Sequence, residues 1–360
     1  MIFPANPKSE YEALAEPIQE AVLRVLQSGT YLHGPETDRF EEEFAQYLGV
    51  EHCLAVGSGT QALHLALLTL DIGPGDEVIM PSHTATATVA AVALCGASAV
   101  LVDVELDTMT ISAATVSQAQ TAATKALLPV HLYGHPAAMN ELRDIADASG
   151  LRLVEDCAQA HGATYVGRKV GGFGDAGCFS FYPTKNLGAF GDAGAVVFQD
   201  GELKEKAKAL REYGWTEKFY SESVGLNARM DELHAAVLRV KLANLQAYND
   251  RRRTIAQMYG DGIKAEEVTL PSVLSDSEHV YHQYVIRVEK RDELRHALQE
   301  QGIYTGVHYP YGIHQQPGYQ SYVRVAGSLK NTESVLQKIV SLPMHPGLRD
   351  EDVHAVIEAV

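Results

Sequence analysis

The apolar positions of this chain fall into short runs separated by amphipathic stretches. Residues 53–56, 77–80, 97–103, 126–132, 151–155, 177–182 and 193–198 are rich in small and β-branched side chains, the pattern of strands buried on both faces. Between them, 58–70, 86–94 and 139–149 read as helices; in the first, Leu63, Leu67 and Leu70 recur at helical spacing behind a Ser58 or Thr60 cap. Short strands alternating with helices of about ten residues predict an α/β fold with a mainly parallel central sheet. Such sheets place ligands at the carboxyl ends of their strands. A long amphipathic helix over 229–252 then changes the rhythm. Residues 281–288 alternate like a half-exposed strand, 291–301 read as a helix, 303–309 as a strand, and 335–340 and 350–360 as helices. That tail predicts a smaller α+β domain, dividing the chain into 1–245 and 246–360.

Composition narrows the partners. With 360 residues, the chain exceeds the size at which one core stops growing. Its formal net charge of −17 sets aside nucleic acid and anionic membranes. The most apolar stretch, 85–104, is interrupted by Gly96 and ends at Asp103, so it reads as a helix and a strand rather than a membrane span. Cys53, Cys95, Cys157 and Cys178 form no CxxC pair and sit in apolar contexts, so no metal site is expected. Together with an N-terminus lacking a basic and apolar leader, they predict a cytoplasmic location.

Three segments carry candidate chemistry. Lys185 follows the run 177–182 and Pro183, and opens a loop in which Gly188, Ala189, Gly191, Ala193 and Gly194 let a ligand approach the backbone. A lysine projecting there is desolvated, which lowers its pKa and favours imine formation; the alternative is a solvated surface lysine. Asp156 ends an apolar run, where a carboxylate needs a partner such as a pyridinium nitrogen, or else caps the next helix. In an extended segment Ala158 points the same way and packs under the ring face. Gly57-Ser-Gly-Thr60 lies between a strand and a helix, where free amides bind phosphate or serve only as a cap.

In their order these segments resemble the DegT/DnrJ/EryC1/StrS family of sugar aminotransferases. The resemblance runs from Ser28-Gly-Thr-Tyr-Leu-His-Gly-Pro35 and Phe40-Glu-Glu-Glu-Phe44 through Gly57-Ser-Gly-Thr60, Gly73-Pro-Gly-Asp-Glu-Val78 and Pro129-Val-His-Leu-Tyr-Gly134. It continues through Glu155-Asp-Cys-Ala-Gln-Ala-His-Gly162, the lysine loop, Asn227-Ala-Arg-Met-Asp-Glu-Leu233 and Leu342-Pro-Met-His-Pro-Gly347. It implies the pyridoxal-phosphate (PLP)-dependent transferase fold, aspartate-aminotransferase-like, fold type I. Lys185 would then form the Schiff base and shuttle the proton, Asp156 pair with the pyridine nitrogen, and Gln159 bond the phenolic oxygen. Gly59, Thr60 and Ser180 would hold the phosphate. Asn227 would reach the phosphate of a neighbouring subunit, making the active site a homodimer property. Arg229, His308, Tyr309 and His314 would border the substrate.

The chain departs from the family at Pro81-Ser-His-Thr-Ala85, where Ala85 stands in for an aromatic residue that stacks on the cofactor. His83 is expected to stack instead, or Ala158 and aliphatic contacts to hold the ring alone. The implied reaction moves an amino group from L-glutamate to a nucleotide-linked keto-deoxy-sugar. Alternatives are a PLP-dependent sugar dehydratase, disfavoured because such relatives carry His at the lysine position, and a non-catalytic nucleotide-sugar-binding or regulatory protein. His131, Tyr133 and His135 form a polar loop that is either structural or near the nucleotide.

Overall fold

The computed structural model describes residues 1–360. Its centre is an eight-stranded sheet in the order His52–Val56, Gly194–Phe198, Ala176–Ser180, Arg152–Asp156, Thr124–Leu127, Glu77–Pro81, Ser98–Val102, Val323–Val325. Every neighbouring pair is parallel except those made by Gly194–Phe198, which runs against both of its neighbours. The carboxyl ends of His52–Val56, Arg152–Asp156 and Ala176–Ser180 therefore share one edge, as expected of a parallel sheet that gathers its ligand there. The helix Gly59–Thr69 is buried on nearly every side because it is apolar all round and lies between the sheet and the helices Thr86–Leu94 and Gly201–Arg211.

The chain beyond residue 245 contributes to two cores. Tyr259, Ile286, Leu298, Val340 and Val353 belong to one apolar cluster around the antiparallel pair Tyr284–Arg287 and Ile339–Leu342. Val323–Val325, however, pairs in parallel with Ser98–Val102, and Ile313, Val335 and Ile339 join the main core.

Several predicted elements differ. The long helix over 229–252 is two, Glu232–Leu242 and Leu245–Gly262; Asn244 turns its side chain back to the carbonyl of Val240 at the break. The helix expected at 335–340 is instead the end of Lys330–Lys338 followed by the strand Ile339–Leu342, because a short apolar run does not distinguish helix from strand. Residues 303–309 make isolated bridges, Ile303 to Ile2 and Gly306 to Ser341, rather than a continuous strand. No helix is long and apolar enough to cross a membrane.

One buried carboxylate ties this frame together. The helix Pro35–Leu48 has no side-chain cap of its own. Glu232 supplies it, accepting from the amides of Gly34 (3.1 Å), Glu36 (2.9 Å) and Thr37 (2.9 Å) and from the Thr37 hydroxyl. A Cβ at Gly34 would stand 2.6 Å from that carboxylate, so a side chain there would have to displace the cap. The capped helix presents Phe44 edge-on to Phe179 and Phe181, at 5.0 and 5.3 Å between centroids, on the segment that leads to Lys185. Glu232→Ala orphans three amides and is expected to cost about 3 kcal/mol or more. Chemical denaturation would show this as a lower midpoint at unchanged slope; an unchanged midpoint would remove Glu232 from the stability argument.

Candidate active site

At the shared edge lies a cavity of about 220 Å³, lined by Gly59, Thr60, Asp156, Ala158, Gln159, Ser180 and Lys185 among others. Seven residues singled out in the sequence thus meet in one place.

Asp156 is the last residue of its strand and is 4% exposed. Its carboxylate accepts from the Ala158 amide (3.1 Å) and the Thr88 hydroxyl (2.9 Å), and no salt bridge reaches it. Burial raises its pKa; the Ala158 amide, the Thr88 hydroxyl and nearby Lys185 oppose the rise. A buried carboxylate with two neutral donors retains room for a cation in the cavity.

Lys185 is half-buried and faces the same cavity. Burial lowers its pKa to about 8, against the opposing pull of Asp156. The loop behind it is pinned: the Ala189 amide donates to the Phe181 carbonyl (2.7 Å), Lys241 Nζ to the Gly188 carbonyl (2.6 Å), and Asn186 Nδ2 to Asn249 and the Val280 carbonyl (both 2.9 Å).

The far wall is the start of the helix Gly59–Thr69. Ser58 caps it by accepting from the Gln61 amide (3.2 Å), while the amides of Gly59 and Thr60 lie in the first turn, where no intrahelical acceptor exists. A Cβ at Gly59 would sit 2.6 Å from the Ser180 Cβ, so glycine is what lets the helix start and the strand end converge. Gln159, 5% exposed, accepts at Oε1 from the Tyr133 amide (2.7 Å) and donates from Nε2 to the Tyr309 hydroxyl (3.0 Å).

Other expected residues lie elsewhere. His83 does not line the cavity, which corrects the stacking expected of it. Its ring is fully buried and its Nε2 lies 2.7 Å from the Tyr133 hydroxyl, a partner inside the protein that a buried imidazole requires. Thr84 and Ala85 face the cavity instead, and Tyr182 is its one aromatic lining residue. Asn227 is exposed and off the cavity, and Arg229 donates to it (3.1 Å) while lining a second cleft with Trp215 and Phe219. His308 Nδ1 meets the Ser341 hydroxyl at 2.8 Å, and His314 Nδ1 meets Ser82 at 2.7 Å. His131 is structural: it holds Glu155, whose carboxylate also accepts from the amides of Gly171, Phe173 and Gly174. Sequence reasoning passed over Thr88; its signal was a hydroxyl in the first turn of the helix Thr86–Leu94, whose residues beyond it are all apolar.

The chain is 48% identical over 354 residues, 98% of its length and 93% of the relative's, to the dTDP-3-amino-3,4,6-trideoxy-alpha-D-glucose transaminase of Streptomyces venezuelae. It is 44% identical over 343 residues, 95% of its length and 94% of the relative's, to the dTDP-3-amino-3,6-dideoxy-alpha-D-galactopyranose transaminase of Aneurinibacillus thermoaerophilus. A crystal structure of S. venezuelae DesV in complex with a ketimine intermediate superposes with a TM-score of 0.96 at 47% identity, covering 100% of this chain and 96% of that one. Residues 12–360 match the DegT/DnrJ/EryC1/StrS aminotransferase family, and the chain belongs to it.

Proposed function

We infer that the sugar aminotransferase activity of this family is carried here by pyridoxal phosphate and directed at carbon 3 of a dTDP-linked keto-deoxy-sugar, with L-glutamate as donor. The observation that carries this reading is the single cavity in which a desolvated amine, a buried carboxylate without a cation and the free amides of a helix start face one another. Those groups match the aldehyde, the ring nitrogen and the phosphate of the cofactor in chemistry. When bound, the cofactor supplies an electron sink for the carbon that loses its proton. Lys185 would hold the cofactor's aldehyde carbon, and its amine would serve as the base that takes the proton from the donor's α-carbon and as the acid that returns one to the sugar carbon. Asp156 would keep a proton on the ring nitrogen, Gly59, Thr60 and Ser180 would hold the phosphate, and Ala158 would pack against the ring.

Both relatives' names place the amine on carbon 3 of a dTDP sugar, which supports the choice of ketone and nucleotide. Asn227, exposed and off its own cavity, supports a homodimer in which it serves the neighbouring site, with Arg229 beside it toward the substrate. The separate apolar cluster around Tyr259 supports division into 1–245 and 246–360. Four free, buried cysteines fit the cytoplasm.

The test is a panel of dTDP- and UDP-linked 3-keto and 4-keto sugars, offered with glutamate to the PLP-loaded protein. Turnover of the dTDP-3-keto sugar is expected to exceed that of the 4-keto isomer by at least about tenfold, since a site built around one carbonyl leaves buried groups unpaired with the other. A faster 4-keto reaction overturns the choice of carbon 3. No release of 2-oxoglutarate overturns the donor.

A further inference from the structure

Gln159 is held at both ends of its amide, and each end is fixed by a different part of the fold. The Tyr133 backbone N–H can only donate, so the atom 2.7 Å from it must be Oε1. Nε2 is thereby turned to the Tyr309 hydroxyl at 3.0 Å. Tyr133 reaches this position in a left-handed conformation, φ 60 and ψ 2, that side-chain-bearing residues rarely adopt. Gly134, at φ 96, follows so closely that a Cβ would meet the Gln159 carbonyl at 3.0 Å. The Tyr133 hydroxyl, fully enclosed, donates to the His308 carbonyl, the residue before Tyr309, and contacts His83. Tyr133 therefore grips Gln159 with its backbone and the Tyr309 segment with its side chain.

An amide nitrogen has two protons. We propose that Tyr309 is a positioning residue: by accepting one N–H of Gln159, it aims the other at the ring oxygen of the cofactor. This rests on the reading of the cavity as a pyridoxal-phosphate site. Burial, with Asp156 adding to it, pushes the Tyr309 pKa up to about 12, so the phenol stays neutral at working pH. A donor aimed at the ring oxygen stabilises its anionic form and so lowers the pH at which the lysine-bound cofactor loses its proton. Tyr309 was expected to border the substrate; this geometry gives it a role that operates before any sugar binds.

The test is a pH titration of the visible absorption band of the PLP-loaded protein, without substrate. In Tyr309→Phe the freed amide loses its aim, and the midpoint is expected to rise by at least about 0.5 unit. Gln159→Leu should raise it as much or more, and the double variant no further than Gln159→Leu alone, as residues acting through one contact are not additive. Tyr309→Leu serves if the phenylalanine variant does not fold. A Tyr309 variant that keeps the wild-type midpoint while Gln159→Leu shifts it overturns the proposal, as does a double variant in which the two shifts add. If Gln159→Leu itself leaves the midpoint in place, Gln159 does not face the ring oxygen and the proposal falls with that assignment. A wild-type protein with no visible band fails earlier, at the cofactor. A role for Tyr309 in packing alone would lower the melting temperature and leave the midpoint where it was.

Discussion

Lys185→Ala is expected to abolish turnover, by at least about 10⁴-fold, because no other amine lines the cavity. The variant should fold, since Lys185 is half-buried, accepts no structural load through its side chain, and the loop around it is held by Lys241, Asn186 and backbone bonds. It should bind the cofactor through the helix start and Asp156 and yet lack the visible band of the lysine-bound form. In the wild type, cofactor capture should depend on pH with a definite sign. The neutral amine is the nucleophile, and burial brings the pKa down to about 8. Capture should therefore accelerate as pH rises toward about 8 and level off above it, whereas an unperturbed lysine would keep accelerating beyond pH 10. Stopped-flow mixing of cofactor-free protein with pyridoxal phosphate checks both statements. A variant as active as wild type, or one that still develops the visible band, would remove Lys185 from the reaction.

Asp156→Asn is expected to lower turnover by about 10²–10³-fold, roughly 3–4 kcal/mol. An asparagine keeps the volume and can still accept from Thr88 or Ala158, but it does not hold a proton on the ring nitrogen. The same change should stabilise the cofactor-free protein. Burial raises the Asp156 pKa above its ordinary value in the folded state. The folded state then binds more protons than the unfolded one between the two pKa values, so stability falls as pH climbs through that window. Above it the charged, uncompensated carboxylate is a standing cost that asparagine lacks. Cofactor-free Asp156→Asn should melt higher than wild type at neutral pH, and the gap should close once pyridoxal phosphate is added. A lower melting temperature for the cofactor-free variant would mean that Thr88 and Ala158 already satisfy the charge.

The strands, the helix Gly59–Thr69 and the positions of Lys185 and Asp156 were legible because local pattern governs them, whereas Ser180 came from the family resemblance. A buried parallel strand must be apolar along its length, so a carboxylate at its end or a lysine just beyond it stands out. Gly57-Ser-Gly-Thr60 was legible as a helix start with free amides, but the close approach to Ser180 that Gly59 permits was not. The chain beyond residue 245 was read less well. Its apolar runs are short, and whether Ile339–Leu342 is strand or helix depends on Tyr284–Arg287 being beside it.

His83 shows most clearly where local reading ends. From the sequence it was the aromatic ring nearest the cofactor segment; in the fold it turns to the Tyr133 hydroxyl, contributed by a loop fifty positions away. The Thr88 bond to Asp156, the orientation of the Gln159 amide and the addition of Val323–Val325 to the large sheet share that origin. The sequence by itself determined which chemical groups are present and at which strand ends they emerge, since burial dictates composition along each strand. Only the tertiary structure decided which way those groups point, because a hydrogen-bond partner distant in the chain is chosen by packing and leaves no periodic trace.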